Sequence, residues 1–242
     1  MTPQELYQTG RLREAITALG EELRKSPLDV KRRTFLFELL IFAGEYDRAE
    51  KQLDVLAGTG SAAAAGTLLY RSALHAERTR QDMFARHQTP VLDFRDQIGG
   101  LCEGHPFREF ADSDPRIGPN LEVYMAGSYT WIPIFYLRKV EIEAPVNLRD
   151  LMWLRARVET TPEFRLQDLG EVLIPAISPL SPRHADETVQ LGRETAWEED
   201  STYDAVPFGA KMMLVDGVDV PLLSIRSLEW PPGPKESDDV SA

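Results

Sequence analysis

The sequence contains a single cysteine, Cys102, so no intrachain disulfide can form, and no local partner signature marks that thiol as a nucleophile. The four histidines, His75, His87, His105 and His184, are scattered, and none has a second His or Cys at a metal-ligand interval. No apolar run reaches the roughly 18 residues that a membrane-spanning helix needs. The first residues, MTPQELYQTGRLREA, lack the basic stretch and apolar block of a secretion signal. There is no glycine-rich phosphate loop, because GRETAW and AGSYTW lack the lysine and the spacing, and there is no G-x-S-x-G elbow. These absences point to a cytoplasmic protein with no metal, no cofactor and no membrane partner.

What is present is globular composition: 242 residues, 43% hydrophobic and 27% charged. The net charge of −12 is unevenly spread. Residues 1–88 carry 13 basic and 12 acidic side chains, which leaves 14 and 27 for the rest of the chain. Acidity of that kind repels phosphate backbones and argues against nucleic acid as a partner. It is compatible with a basic protein surface, although its ordinary role is solubility.

A repeat organises the first third. GRLREAITAL begins at residue 10 and GEYDRAEKQL at residue 44, an interval of 34 that matches the tetratricopeptide period. Gly10 corresponds to Gly44, Leu12 to Tyr46, Ala15 to Ala49 and Leu19 to Leu53. The glycine ends one helix and permits a tight turn, and the large residue plugs that turn. The alanine lets paired helices approach, and the leucine fills the groove between them. The segment VKRRTFLFELLIFA places Leu36, Leu39, Leu40 and Phe42 or Ala43 near one face. The stretch AAAAGTLLYRSALHAERTRQDMFARH reads as a closing helix, with Leu68, Leu69, Ser72, Ala73 and Ala76 expected inside and Glu77, Arg78 and Arg80 expected in water.

The pattern then changes. TPVLDFRDQIGGLCEG can hold one short helix, and ADSDPRIGP reads as loop. LEVYMAG, YTWIPIFYLRKVEIEA, WLRARVET, GEVLIPAIS and KMMLVDGVDVPLLSIRSLEW are strand-like, rich in β-branched and aromatic residues. Val140 and Ile142 alternate with Glu141 and Glu143, which gives one wet face. Asp216-Gly217 is a two-residue hairpin turn. NLRDLMW reads as a short helix capped by Asn147, with Leu148, Leu151 and Met152 inward. The fold expected is α+β: a TPR-like helical domain over 1–88, a linker over 89–118, a mainly antiparallel β-rich domain over 119–230 and a disordered tail over 231–242.

No catalytic constellation emerges. Glu198, Glu199 and Asp200 are adjacent acids in a turn-like segment, and catalytic carboxylates need a defined facing separation. Tyr129, Trp131 and Phe135 surround Pro133, with Trp153 and Trp197 further on. Core packing is the default for such aromatics, and an anchor for a partner is the alternative. Arg155, Arg157 and Arg193 can pair with local acids or stack on rings. The partner-binding candidates are Arg32, Phe35 and Glu38 on the helical part, the aromatic belt of Tyr129, Trp131 and Trp153, and Arg193. An enzymatic alternative would use Asp150, Arg157, Arg193 and the acidic loop.

The chain resembles a known family. RRTFLFELLIFAGEYDRAEKQLDVL, YRSALHAERTRQDMFA, YTWIPIFYLRKVEIEAPVNLRDLMWLRARV, GEVLIPAIS, LGRETAW and LLSIRSLEW are similar, in order and from about residue 5 to 230, to the ImpE (SciE/TagJ) family of type VI secretion accessory proteins. Two stretches depart from the family pattern: the tract between Pro182 and Leu191 and the acidic loop after Trp197. The resemblance implies a non-enzymatic cytoplasmic adaptor. Such an adaptor would bind the N-terminal helix of the small contractile-sheath subunit and influence recruitment of the disassembly ATPase. The family also carries a label as an avirulence-locus protein. An interaction module outside secretion is a further alternative.

Overall fold

The computed structural model describes residues 1–91, 99–164 and 168–231. Five helices come first: α1 (Pro3–Gln8), α2 (Leu12–Lys25), α3 (Val30–Phe42), α4 (Tyr46–Ala57) and α5 (Ser61–Ala85). Thr2 and Glu5 form a reciprocal capping box at the start of α1, and the Asp29 carboxylate accepts the Arg32 N–H at the start of α3. The buried stripe of α2, Leu12, Ala15, Ile16, Leu19 and Leu23, keeps helical spacing. Each helix packs on the next, so α3 lies between neighbours and is buried from Leu36 to Phe42.

The two turns at Gly10 and Gly44 are built alike. Arg11 N–H donates to Leu6 O and Gly10 N–H to Tyr7 O; Glu45 N–H donates to Leu40 O and Gly44 N–H to Ile41 O. Both are Schellman closures, with φ of +80° at Gly10 and +68° at Gly44. A β-carbon at Gly44 would lie 2.8 Å from Pro182 Cβ, and one at Gly10 would lie 3.0 Å from Thr188 Cγ2. The tract between Pro182 and Leu191 therefore runs across the helix turns.

Helix α5 departs from expectation. Ala73 and Ala76 are buried, but Leu68 is 67% exposed and Leu69 42% exposed, while Glu77 and Arg80, expected in water, are wholly buried. The physical reason is that the sheet covers the C-terminal half of α5 and supplies the Glu122 carboxylate to Arg80 and the Tyr124 hydroxyl and Trp153 indole to Glu77. The N-terminal half projects beyond the sheet.

The strands, in chain order, are β1 (Gly100–Cys102), β2 (His105–Phe107), β3 (Phe110–Asp112), β4 (Asn120–Met125), β5 (Ser128–Pro133), β6 (Leu137–Ile142), β7 (Trp153–Thr160), β8 (Asp168–Pro175), β9 (Thr195–Glu198), β10 (Val206–Gly209), β11 (Met212–Val215), β12 (Val218–Pro221) and β13 (Ser227–Glu229). A four-residue helix, α6 (Glu187–Gln190), precedes β9. Eight strands form an antiparallel sheet in the order β2-β1-β13-β6-β7-β8-β4-β5, a second sheet has the order β12-β11-β3, and β9 pairs with β10. The architecture is α+β, with N-terminal helices followed by a β-rich part.

Asp216 and Gly217, at φ +49° and +81°, turn β11 into β12 as the sequence indicates. Ala126 and Gly127, at +48° and +85°, make a second such turn between β4 and β5. The long strand-like run from Tyr129 breaks at Pro133 into β5, a 3₁₀ turn over Ile134–Tyr136, and β6. Asn147 and Asp150 cap a 3₁₀ turn over Leu148–Leu151, not an α-helix, and Met152 behind it is buried. The short helix expected within residues 89–104 falls mostly outside the described residues, and the described part of that stretch contains β1. The tail expected to be disordered lies outside them from residue 232.

One core fills the helices and continues into the sheet through Tyr124, Met152, Trp153, Leu173 and Ile177. A second lies on the other face of the sheet, where Phe110, Met213, Leu222 and Trp230 pack on Val123, Val140 and Leu154. Gly44→Ala is expected to lower stability by about 2–4 kcal/mol through left-handed strain and contact with Pro182. Gly20→Ala, inside α2 with open space at its β-carbon, is expected to raise it by up to about 1 kcal/mol. Urea midpoints of the two variants check the contrast.

Candidate functional site

Two features stand out where helices meet sheet. The first is a buried charge cluster. Arg80 on α5 donates from Nε to Glu122 Oε1 on β4 at 2.7 Å and from Nη2 to Glu122 Oε2 at 2.9 Å and to Ile177 O at 3.0 Å. Lys211, one residue before β11, bonds Glu122 Oε2 at 2.6 Å and Asp112 Oδ2 at the end of β3. Glu77, one turn before Arg80, receives the Tyr124 hydroxyl, the Trp153 indole N–H at 3.0 Å and the Gln81 amide at 2.7 Å. Gln81 Oε1 in turn accepts Leu180 N–H at 3.0 Å. The Tyr129 hydroxyl donates to Glu122, and the Trp131 indole donates to Tyr129. This is a largely buried network joining α5 to five separated stretches of the β-rich part: Asp112, Glu122 to Trp131, Trp153, Ile177 to Leu180, and Lys211.

The electrostatics follow from burial and pairing. Burial works against the Glu122 charge, but Arg80 and Lys211 bring its pKa down to about 2. Burial also works against the cations, and the carboxylates beside them hold Arg80 well above and Lys211 above their ordinary values. Burial raises the phenols of Tyr124 and Tyr129 well above the usual range, reinforced by Glu77 and Glu122 respectively.

The second feature is an apolar groove between α3, α4 and the N-terminal half of α5, with a volume of about 210 Å³. Val30, Thr34 and Phe37 form one wall, Leu53, Leu56 and Thr59 the next, and Gly66, Thr67 and Tyr70 the third. Arg149, from the 3₁₀ turn, closes one end. It donates to Tyr70 Oη at 2.7 Å, pairs with Glu38 at 2.7 Å and lies over the Tyr70 ring. Burial raises the Glu38 carboxyl, with Arg149 opposing. Val30 and Leu69 stay largely exposed on the groove helices.

The sequence candidates fall in different places. Glu38 is at the groove end. Arg32 bonds Glu22 and Asp29, and Phe35 meets Tyr7 edge-on, so both turn toward α1 and α2, away from the groove. Trp153 is 1% exposed and stacks on Tyr70, while Tyr129 and Trp131 lie against the charge cluster and Phe84. Arg193 stacks on Tyr7 and donates to Tyr7 O and Gln8 O, capping the C-terminus of α1. The residues of the enzymatic alternative are not joined. Asp150 accepts Val146 and Asn147 N–H groups, Arg157 faces Glu141 and Glu171 across the sheet, and Asp200 accepts the N–H groups of Thr202 and Tyr203. Among the described residues, no group of three His, Cys, Asp or Glu side chains is placed to hold a metal.

Comparison with known proteins resolves the family. The model of the ImpE protein family matches residues 104–229. The type VI secretion system accessory component TagJ of Pseudomonas aeruginosa is 31% identical over 268 aligned positions, covering 96% of this chain and 92% of that protein. The chain belongs to the ImpE family. A crystal structure of protein VPA1032 from Vibrio parahaemolyticus superposes with a TM-score of 0.82 at 21% identity, covering 95% of this chain and 97% of that one, which is a likeness of fold.

The charge cluster straddles the matched region of this ImpE protein. Asp112, Glu122 and Lys211 lie inside it, and Glu77 and Arg80 lie before it. Removing one partner leaves buried charge uncompensated. Glu122→Gln is expected to cost about 3–5 kcal/mol, read as a urea midpoint near neutral pH. Glu122 is also a source of acid sensitivity: its contribution is present above its unfolded value of 4.5 and is lost as pH falls toward about 2. The Glu122→Gln protein should show a shallower stability loss across that range.

Proposed function

We propose that this chain is a non-enzymatic adaptor of a type VI secretion system, acting in the cytoplasm. In this reading it binds the N-terminal helix of the small contractile-sheath subunit and influences recruitment of the disassembly ATPase. Membership of the ImpE family carries the reading, with a relative named as an accessory component of that system. The groove supports a helical ligand. Its three helical walls are apolar, its mouth is open, and it matches the way amphipathic helices are held by i, i+3, i+4 and i+7 anchors. The 34-residue spacing and the matched Schellman turns at Gly10 and Gly44 support a TPR-like description of α1 to α5. Of the partner-binding candidates, Glu38 belongs to this surface through Arg149, and we assign Arg32, Phe35, Tyr129, Trp131, Trp153 and Arg193 to holding the fold.

The test is calorimetric titration of the full chain with a synthetic peptide of the sheath subunit's N-terminal helix. A dissociation constant on the order of micromolar is expected. Gly66 is exposed on α5 with open space at its β-carbon, so Gly66→Arg fills the groove without disturbing the helix. It should weaken binding by about tenfold or more, with the unfolding midpoint unchanged or raised. Absence of binding by the unmodified chain, or full binding by Gly66→Arg, overturns the assignment.

A further inference from the structure

Five ionisable side chains meet between α5 and the sheet, and none is more than 5% exposed: Glu77, Arg80, Asp112, Glu122 and Lys211. Three are carboxylates and two are cations. The adjoining Asp114 and Arg116 are also buried but neutralise each other at 2.6 Å. With every group ionised the enclosure would hold one uncompensated negative charge, which a protein interior does not tolerate without a counterion or a proton. Glu122 has Arg80 on both oxygens, Lys211 and the Tyr129 hydroxyl. Glu77 has three neutral donors, from Tyr124, Trp153 and Gln81, with Arg80 Nη1 at 3.6 Å. Among the described residues, Asp112 has a share of Lys211 and the Asp114 N–H at 2.9 Å, while two further carboxylates, Glu122 and Asp114, face it.

We propose that Asp112 holds a proton in the closed molecule and that the cluster is a proton-operated latch, in which release of that proton loosens the seat of α5 on the sheet. Burial, reinforced by Glu122 and Asp114 and opposed by Lys211, pushes the Asp112 carboxyl up to about 7. Once the interface opens, water returns the carboxyl to its ordinary value near 3.8. Opening therefore expels a proton at any pH between those values. It becomes about tenfold more favourable per pH unit as pH rises through that window, and levels off above about 7, where the closed form has lost the proton too. Glu122 does not contribute to this slope, because it is ionised in both states above its unfolded value of 4.5. The groups that face Asp112 are Lys211 ahead of β11, Glu122 on β4, Asp114 and Arg116 in the turn after β3, and Arg80 behind Glu122 on α5. The latch also reaches the groove: Trp153, whose indole holds Glu77, stacks on Tyr70 at 6.2 Å.

Hydrogen–deuterium exchange on the full chain tests this without any partner. Protection of α5 from residue 73 to 85 and of β4 is followed from about pH 5 to about pH 8 and corrected for the intrinsic pH dependence of amide exchange. The opening equilibrium should rise by about tenfold per pH unit to about pH 7 and then flatten. Asp112→Asn, a neutral isostere, should hold it at its low-pH level throughout. Carbon-13 carboxyl shifts of the unmodified protein give an independent reading, with Asp112 titrating near neutrality. Exchange that does not change with pH, an Asp112 carboxyl titrating with surface aspartates near pH 4, or a slope that survives in Asp112→Asn overturns the latch. If that variant fails to fold, the carboxyl titration decides.

Discussion

The seat of α5 on the sheet holds a buried ion cluster beside its apolar contacts, and much of the molecule is arranged around it. Arg80 and Glu122 meet as a bidentate pair with no exposed surface on either side chain. Desolvating two charges costs several kcal/mol each, and partners for most of the remaining donors and acceptors offset it; Arg80 Nη1 makes no hydrogen bond among the described residues and lies 3.6 Å from Glu77. The partners come from everywhere the chain passes: hydroxyls of Tyr124 and Tyr129, the indole of Trp153, the amide of Gln81, the Ile177 carbonyl and Lys211. A hydrophobic interface tolerates small slides, whereas this one fixes the register of α5 against β4.

A second join adjoins the first, since Leu180, whose N–H donates to Gln81, leads into it. Pro182 and Thr188 approach the turn glycines Gly44 and Gly10 closely, Glu187 pairs with Arg13 at 3.6 Å, and Arg193 sits on the carbonyl end of α1. The tract from Pro182 to Arg193 is thus a strap across these helix ends. The groove of α3, α4 and α5 opens at the other end of these helices, where Val30, Leu56 and Gly66 line it.

The parts of the fold that could be read from the sequence are those governed by local chemistry. Gly10 and Gly44 are needed because a helix closes there with positive φ, Asp216-Gly217 because a two-residue hairpin demands it, and Asn147 because a short turn needs a cap. The burial of Glu77 and Arg80 could not be read that way. Helical periodicity assigns charge to water unless a partner is known, and the partners, Glu122, Tyr124 and Trp153, stand 42, 47 and 76 residues away. The same limit applies to the groove. Glu38 was within reach of inspection, but Thr34, Leu56, Tyr70 and Arg149 converge only when three helices and a 3₁₀ turn are assembled. The strand run after Tyr129 concealed its own break, because Pro133 reads equally well as an edge residue and as a corner.

The continuity of the first core across helices and sheet has a bearing on how this chain can be divided. Tyr124, Met152, Trp153 and Ile177 belong to the same packed cluster as Leu39, Leu53 and Ala73. Severed near residue 88, the leading half would bare Glu77 and Arg80, the latter without its bidentate partner Glu122, and the trailing half would bare Glu122, Lys211 and an indole with its donor unmet. A cut there would pass through one packed core that the helices and the sheet share.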